Sequence, residues 1–200
     1  MKTTKIVSPL LKEAELHAAP VVIRVNEFTN SAAKSFHAQM TKAHNTGQPV
    51  IPIIIDSYGG QVYSLMSMIS SIKHAERPVA TIIEGKAMSC GAILFSFGEE
   101  GMRFMDPDAT LMIHDVSTSV WGKVEEVKAD SAEADRLNQK VYRMMAQNCG
   151  KKEEYFLELI HQKGHADWFI DAAEAKVHNL ANQIRVPKFN VVINATIDFE

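Results

Sequence analysis

The segment GKAMSCGA, residues 85–92, places Ser89 among small residues. It directly follows a β-branched run and leads into the apolar run AILFSF, residues 92–97. A serine hydroxyl becomes a strong nucleophile when a sharp strand-to-helix turn presents it to a base and to the backbone N–H groups of the helix start. Small residues in this pattern also occur where a helix simply packs closely on a sheet. Ser89 is therefore a candidate nucleophile for acyl transfer that needs support from other residues.

A pair of glycines closes a second strand-like run. The run VIPIII, residues 50–55, ends in DSYGG, in which Gly59 and Gly60 are adjacent. Vicinal glycines after a strand let backbone amides turn towards a ligand, so an oxyanion hole could form here. An ordinary turn between a strand and a helix is the alternative.

A general base is the next requirement. Of the eight histidines, only His114 ends an apolar strand-like run, LMIH. This predicts an imidazole at the edge of a sheet, where ligand sites of such folds usually lie. His161 and His165 have the spacing of a metal-binding pair, but Gly164 lies between them and no H-E-x-x-H motif is present. We therefore predict neither a metal site nor a cofactor.

A carboxylate would have to fix the tautomer of that imidazole. Asp167 precedes the aromatic pair Trp168-Phe169, which could shield it partly from water. Asp115 is the chain neighbour of His114 and, on an extended segment, would point to the opposite face. Asp167 is thus the candidate orienting group, with a solvated helix cap as its alternative role.

The elements that must position these residues alternate between strands and helices. Apolar β-branched runs at residues 21–25, 50–55 and 79–83 predict strands, and each precedes a segment with helical spacing of apolar residues, the first beginning after Asn30 as N-cap. The pattern indicates an α/β fold built on a buried sheet. A long half-solvated helix is predicted at about 123–148, where Gly and Pro are absent, and it could project towards another subunit. A further helix at 151–163 and a final strand at 190–200 follow.

Composition limits the class of protein. The 200 residues are 46% apolar, enough for the core of one domain, and the net charge of −3 argues against nucleic-acid binding. Two cysteines exclude a disulfide framework, and no apolar run is long enough for a membrane span. We expect a cytoplasmic protein with an N-terminal segment at 1–20, a single domain at 21–187 and a C-terminal extension at 188–200.

From about Arg24 to Leu180, the chain resembles the ClpP family, the proteolytic subunit of ATP-dependent Clp proteases, whose fold is shared with the crotonases. Five motifs occur in the family's order: DSYGG is similar to its SPGG turn, GKAMSCGA to its nucleophile segment, GMRF to GKRF, LMIH to IMIH, and ADWFIDAAEA to RDxFxxAxEA. The resemblance implies repeated β-β-α units with a long protruding handle helix.

The resemblance also implies roles for the candidate residues. Ser89 would be the nucleophile, His114 the general base and Asp167 its orienter, and the backbone amides of Gly60 and Cys90 would form the oxyanion hole. The implied protein is a serine endopeptidase that cleaves peptides or unfolded proteins by acyl-enzyme chemistry inside a homo-oligomeric ring chamber. An AAA+ unfoldase ATPase would be its partner, since no phosphate-binding loop is present in the sequence.

Several positions depart from the family pattern. Tyr58 stands in place of the Pro of SPGG, Val116 in place of a common Pro after the motif His, and Ala166 in place of an Arg linked to contacts between rings. These differences predict a divergent member. The alternatives are a catalytically silent ring subunit or scaffold, and a crotonase-type acyl-CoA enzyme, which would not need a Ser-His-Asp set.

Overall fold

A parallel sheet with helices in the crossovers between its strands forms the core. The computed structural model describes residues 4–8, 11–16 and 18–188; the predicted strand at 190–200 lies outside them. Two strands near the start, β1 (Thr4–Ser8) and β2 (Leu11–Leu16), form an antiparallel pair of their own. The remaining elements are β3 (Ile23–Val25), α1 (Asn30–Asn45), β4 (Ile51–Ser57), α2 (Val62–Lys73), β5 (Val79–Met88), α3 (Cys90–Phe95), β6 (Arg103–Met105), β7 (Thr110–Ile113), α4 (Val124–Asn148), α5 (Tyr155–Gln162), β8 (Trp168–Ile170), α6 (Ala172–Val177) and β9 (Gln183–Ile184).

The main sheet has the strand order β3-β4-β5-β6-β9, and all of these neighbours are parallel. The ten-residue strand β5 pairs with β6 through its first half and with β7 through its second half. The strand β8 is antiparallel to β7. The predicted α/β fold with a parallel sheet and crossover helices is therefore confirmed.

The predicted apolar faces explain why these elements pack together. Five consecutive residues of β4 are buried, as expected for a strand covered by helices on both sides of a parallel sheet. The helix α1 buries Ala33, Phe36, Met40 and Ala43 against it. Its N-cap is Thr29 rather than the predicted Asn30, because the Thr29 side chain accepts a hydrogen bond from the N–H of Ala32.

The long helix α4 has 25 residues and divides into two halves. Its buried residues begin only at Leu137, whereas Val124 near its start is 69% exposed. The preceding Trp121 is fully exposed. The following helix α5 starts at Tyr155 rather than at residue 151, and a turn precedes it.

A buried arginine fixes the end of the described chain. Arg103 on β6 is 1% exposed and donates hydrogen bonds to the carbonyl oxygens of Gly98, Asn179 and Leu180. Its guanidinium also pairs with Glu100 at 2.8 Å. These bonds hold the segment after α6 against the sheet, since a buried guanidinium is stable only with its donors satisfied. Among the helices of the described ranges, none is long and apolar enough to cross a membrane.

Candidate active site

The candidate residues meet at one edge of the main sheet. Gly59 and Gly60 follow β4, Ser89 follows β5, and His114 follows β7. These three strands are parallel to one another, so their carboxyl ends lie at the same edge. Such an edge is where open α/β sheets carry ligands.

Ser89 occupies a sharp turn between β5 and α3. Its backbone has φ 55° and ψ −119°, which few residues other than glycine adopt, and α3 begins at the next residue. The Ser89 N–H donates to the carbonyl oxygen of Met112 on β7 at 2.8 Å. A conformation of this kind costs about 1–3 kcal/mol and persists only where the surrounding packing imposes it.

The loop after β4 approaches this turn closely. Gly59 has φ +109°, and a Cβ built on it would lie 2.7 Å from the Cβ of Ser89. That distance is shorter than real side chains allow, so the approach requires glycine. Gly60 is equally confined, because a Cβ there would lie 2.6 Å from the carbonyl oxygen of Phe28.

Two backbone amides lie beside Ser89. Within residues 18–188, neither the N–H of Gly60 nor the N–H of Cys90 donates a hydrogen bond to a backbone carbonyl oxygen. The two residues are in contact, since the Cys90 thiol donates to the carbonyl oxygen of Gly60 at 3.2 Å. Burial raises the pKa of that thiol to about 11, so Cys90 is protonated at neutral pH and is a poor nucleophile.

Ser89 and His114 line the same narrow cleft of about 40 Å³, together with Gly60 and Cys90. The apolar side chains on its walls are those of Val62, Leu65, Ile93, Val116 and Val141. Tyr142 of α4 also lines the cleft, and its hydroxyl donates to the carbonyl oxygen of His114. Burial raises the pKa of Tyr142, so that this hydroxyl stays protonated and remains a donor.

Asp167 lies just before β8. The antiparallel register pairs Ile113 with Trp168, so continuing it by one residue brings His114 opposite Asp167. In the described part of the chain, no hydrogen bond joins their two side chains. Asp167 is exposed, and the prediction that the adjacent aromatic pair shields it is wrong. The reason is that Trp168 is buried on the other face of the extended segment.

Asp115 turns away from the cleft. One oxygen of its carboxylate, Oδ1, accepts from Nδ2 of Asn138 at 2.8 Å, and Oδ2 contacts Nδ1 of His165 at 2.6 Å. His165 therefore contacts a carboxylate, and the described residues contain no group of three or more His, Cys, Asp or Glu that could hold a metal ion.

A sequence model of the Clp protease family matches residues 2–188 of this chain. The chain belongs to the Clp protease family. At the family level, the match indicates a ClpP-type peptidase with the α/β fold described above. Members of the Clp protease family normally form oligomeric rings and work with ATPase partners.

The sequence did not reveal three side chains that surround the candidate site of this Clp protease family member. Asn138 and Tyr142 lie on α4, more than twenty residues from His114, and His165 lies fifty residues from Asp115. Asn138 and Tyr142 belong to no motif or periodic pattern in the sequence, and His165 stands out only by its spacing from His161. The fold brings all three side chains to the segment that begins at His114.

Proposed function

We propose that this chain is a serine endopeptidase in which Ser89 is the nucleophile, His114 the general base and Asp167 the orienting carboxylate. The observation that carries the proposal is the cleft in which Ser89, on a strained turn, and His114 lie together beside the amides of Gly60 and Cys90, which within residues 18–188 donate to no backbone carbonyl oxygen. Membership of the Clp protease family supports the same chemistry.

In the proposed reaction, Ser89 Oγ attacks the carbonyl carbon of a peptide bond while His114 takes the hydroxyl proton. The carbonyl oxygen becomes an oxyanion, which the N–H groups of Gly60 and Cys90 stabilise. The C–N bond then breaks, His114 gives its proton to the leaving amine, and an ester to Ser89 remains. Water, deprotonated by His114, hydrolyses this ester and restores the serine.

The role proposed for Asp167 depends on its position opposite His114 beyond the β7–β8 ladder. Directly opposed residues of antiparallel strands have Cβ atoms about 4.5–5.5 Å apart, which is within reach of a short carboxylate. A carboxylate there would hold the Nδ1 proton and leave Nε2 to face Ser89. Because Asp167 is exposed in the single chain, water weakens this interaction, and a cover provided by substrate or by a neighbouring subunit would strengthen it.

The substrates proposed are peptides and unfolded proteins. The cleft beside Ser89 is narrow, at about 40 Å³, and is lined by both polar and aliphatic groups, so it favours a small side chain next to the cleaved bond. We propose that the chain forms a homo-oligomeric ring and receives unfolded proteins from an AAA+ ATPase. The fully exposed Trp121 and the neighbouring Val124, which is 69% exposed at the start of α4, support assembly, since exposed apolar side chains that lie together often mark an interface.

A catalytically silent ring subunit is the second candidate function. Two observations favour it: Asp167 is exposed, and no hydrogen bond in the described residues joins it to His114. A subunit of this kind would assemble with active relatives and contribute surface rather than chemistry. It predicts a well-formed oligomer in which Ser89 is no more reactive than an ordinary serine.

Labelling with a fluorophosphonate probe, mapped by mass spectrometry, separates the two candidates. The wild-type chain is compared with Ser89→Ala, His114→Ala and the control Ser117→Ala, which removes an exposed hydroxyl from the same cleft. Light scattering on each sample reports assembly. Label on Ser89 that is lost in the first two variants and kept in the control supports the peptidase. An assembled particle without label contradicts it and leaves the silent subunit.

A further inference from the structure

The ladder between β7 and β8 ends before it reaches His114 and Asp167. Its last pair joins Ile113 to Trp168, and the residues beyond are in neither strand. Backbone pairing between the two strands therefore extends as far as Ile113 and Trp168 and does not include His114 and Asp167. Whatever aligns His114 with Asp167 must include side-chain contacts beyond the last pair.

One such contact bridges the two segments. Asp115 follows His114, and its Oδ2 lies 2.6 Å from Nδ1 of His165, which precedes Asp167 by two residues. The bridging carboxylate is the more enclosed partner, because the Asp115 side chain is 29% exposed and that of His165 is 56% exposed. A short contact to a carboxylate is among the stronger hydrogen bonds that proteins form.

The same carboxylate is held from a third side by α4. Asn138 donates through Nδ2 to Asp115 at 2.8 Å and accepts through Oδ1 from the N–H of Val116 at 2.9 Å. Both oxygens of Asp115 are therefore occupied by different elements. The contact with Asn138 of α4 orients the Asp115 carboxylate, and His165 contacts the carboxylate in that orientation.

The backbone at His165 has a defined conformation at the end of α5. His165 has φ +58°, in the left-handed region that side-chain-bearing residues rarely adopt. Its ring lies against that of His161, with centroids 4.4 Å apart. The N–H of His165 donates to the carbonyl oxygen of Ile160 at 3.0 Å, so the turn that ends α5 holds this conformation and fixes where the His165 side chain starts.

We propose that Asp115 and His165 are positioning residues, which hold the segments on either side of the β7–β8 end so that Asp167 stays opposite His114. The inference rests on the proposed function, since it concerns the alignment of that base with its orienting carboxylate. Neither residue lines the cleft beside Ser89. Their loss should therefore lower kcat and leave KM unchanged, because substrate contacts remain.

The test is a double-mutant cycle on the assembled protein, with Asp115→Ala, His165→Gly and the two combined. Glycine tolerates the left-handed backbone of position 165 and has no side chain, so the second variant removes the contact with Asp115 without adding strain. Each single variant should lower kcat for a fluorogenic peptide by about tenfold, and the double variant should lose no more than Asp115→Ala alone, because the two residues act through one contact. His37→Ala, which removes an exposed histidine of α1, and Asp130→Asn, which removes one exposed carboxylate of α4, are the controls.

Amide exchange gives a readout that does not need activity. In a Ser89→Ala background, both positioning variants should speed exchange in peptides covering residues 114–117 and 164–168, where the Val116 N–H is held by Asn138. The controls should leave it unchanged. This exchange response, together with a wild-type chain that neither binds the probe nor cleaves peptides, would refute the proposed peptidase while leaving the contact established. An active chain in which the single losses multiply, or in which kcat does not change, would overturn the positioning role.

Discussion

Replacing Gly59 by alanine perturbs the candidate nucleophile through one atom. The new Cβ would lie 2.7 Å from the Cβ of Ser89 and 3.1 Å from the carbonyl oxygen of Met88. Neither neighbour is the free end of a flexible side chain, so relief requires the loop after β4 or the turn at Ser89 to move. Overpacking of this kind costs about 1–3 kcal/mol, and a side chain at φ +109° costs about 1–3 kcal/mol more.

The control Gly101→Ala separates these two contributions. Gly101 has φ +85°, and a Cβ built on it would meet no atom within 4 Å. It therefore carries the backbone penalty without the overlap. We expect Gly59→Ala to lower the free energy of unfolding by about 1–3 kcal/mol more than Gly101→Ala, which is the overlap alone.

The assays are urea unfolding and the rate of fluorophosphonate labelling. We expect Gly101→Ala to label at the wild-type rate, and Gly59→Ala to label at least tenfold more slowly because Ser89 shifts by tenths of an ångström relative to Gly60 and Cys90. Equal stability of the two variants would refute the reasoning about the overlap. Normal labelling of a destabilised Gly59→Ala would show that the turn at Ser89 does not depend on the approach of this loop.

Three further outcomes follow from buried and paired groups. Arg103→Met should lower the free energy of unfolding by about 3–5 kcal/mol in urea, because it leaves buried carbonyl oxygens without donors, whereas the exposed Arg24→Met should cost under about 1 kcal/mol. The Arg136 guanidinium lowers the pKa of Glu133 to about 2. Any stability that the Glu133 carboxylate contributes is therefore present above its unfolded pKa of about 4.5 and is lost as the pH falls towards 2. The difference in unfolding midpoint between the wild type and Glu133→Gln should shrink over that range. Cys90, with a pKa of about 11, should resist iodoacetamide at pH 8 in the folded chain and react in urea, and rapid native alkylation seen by mass spectrometry would contradict its burial.

Local signals were sufficient to predict the sharp turn at Ser89. Small residues around Ser89 permit the close approach of Gly59, and the apolar run before His114 predicted a strand that ends at a sheet edge. Both features depend on residues within a few positions of the site. The helical spacings and the β-branched runs likewise predicted the crossover units, because each element buries one periodic face.

The sequence contains no local pattern that predicts the long-range contacts of the site. The exposure of Asp167 depends on which face of the β8 segment Trp168 fills, and the bond between Asp115 and His165 joins residues fifty positions apart. The helix α4 was predicted from its lack of Gly and Pro and from apolar residues at helical intervals, and Leu137 is the first large apolar residue after Val127, but the residues that bury it lie elsewhere in the chain. Burial and contacts of this kind depend on which elements pack against each other in the folded chain. They cannot be inferred from the residues of one segment.

The two halves of the candidate site are stabilised by different kinds of contact. The strained turn at Ser89 is held by the core, because all six residues of α3 are buried and the Ser89 N–H is bonded to β7. His114 and Asp167 lie beyond the last strand pair and depend on side-chain contacts from Asp115 and Tyr142. Changes near the turn should therefore lower stability together with reactivity, because both depend on one packed core. Changes beyond the ladder should lower kcat at nearly constant stability, since few buried atoms are displaced there.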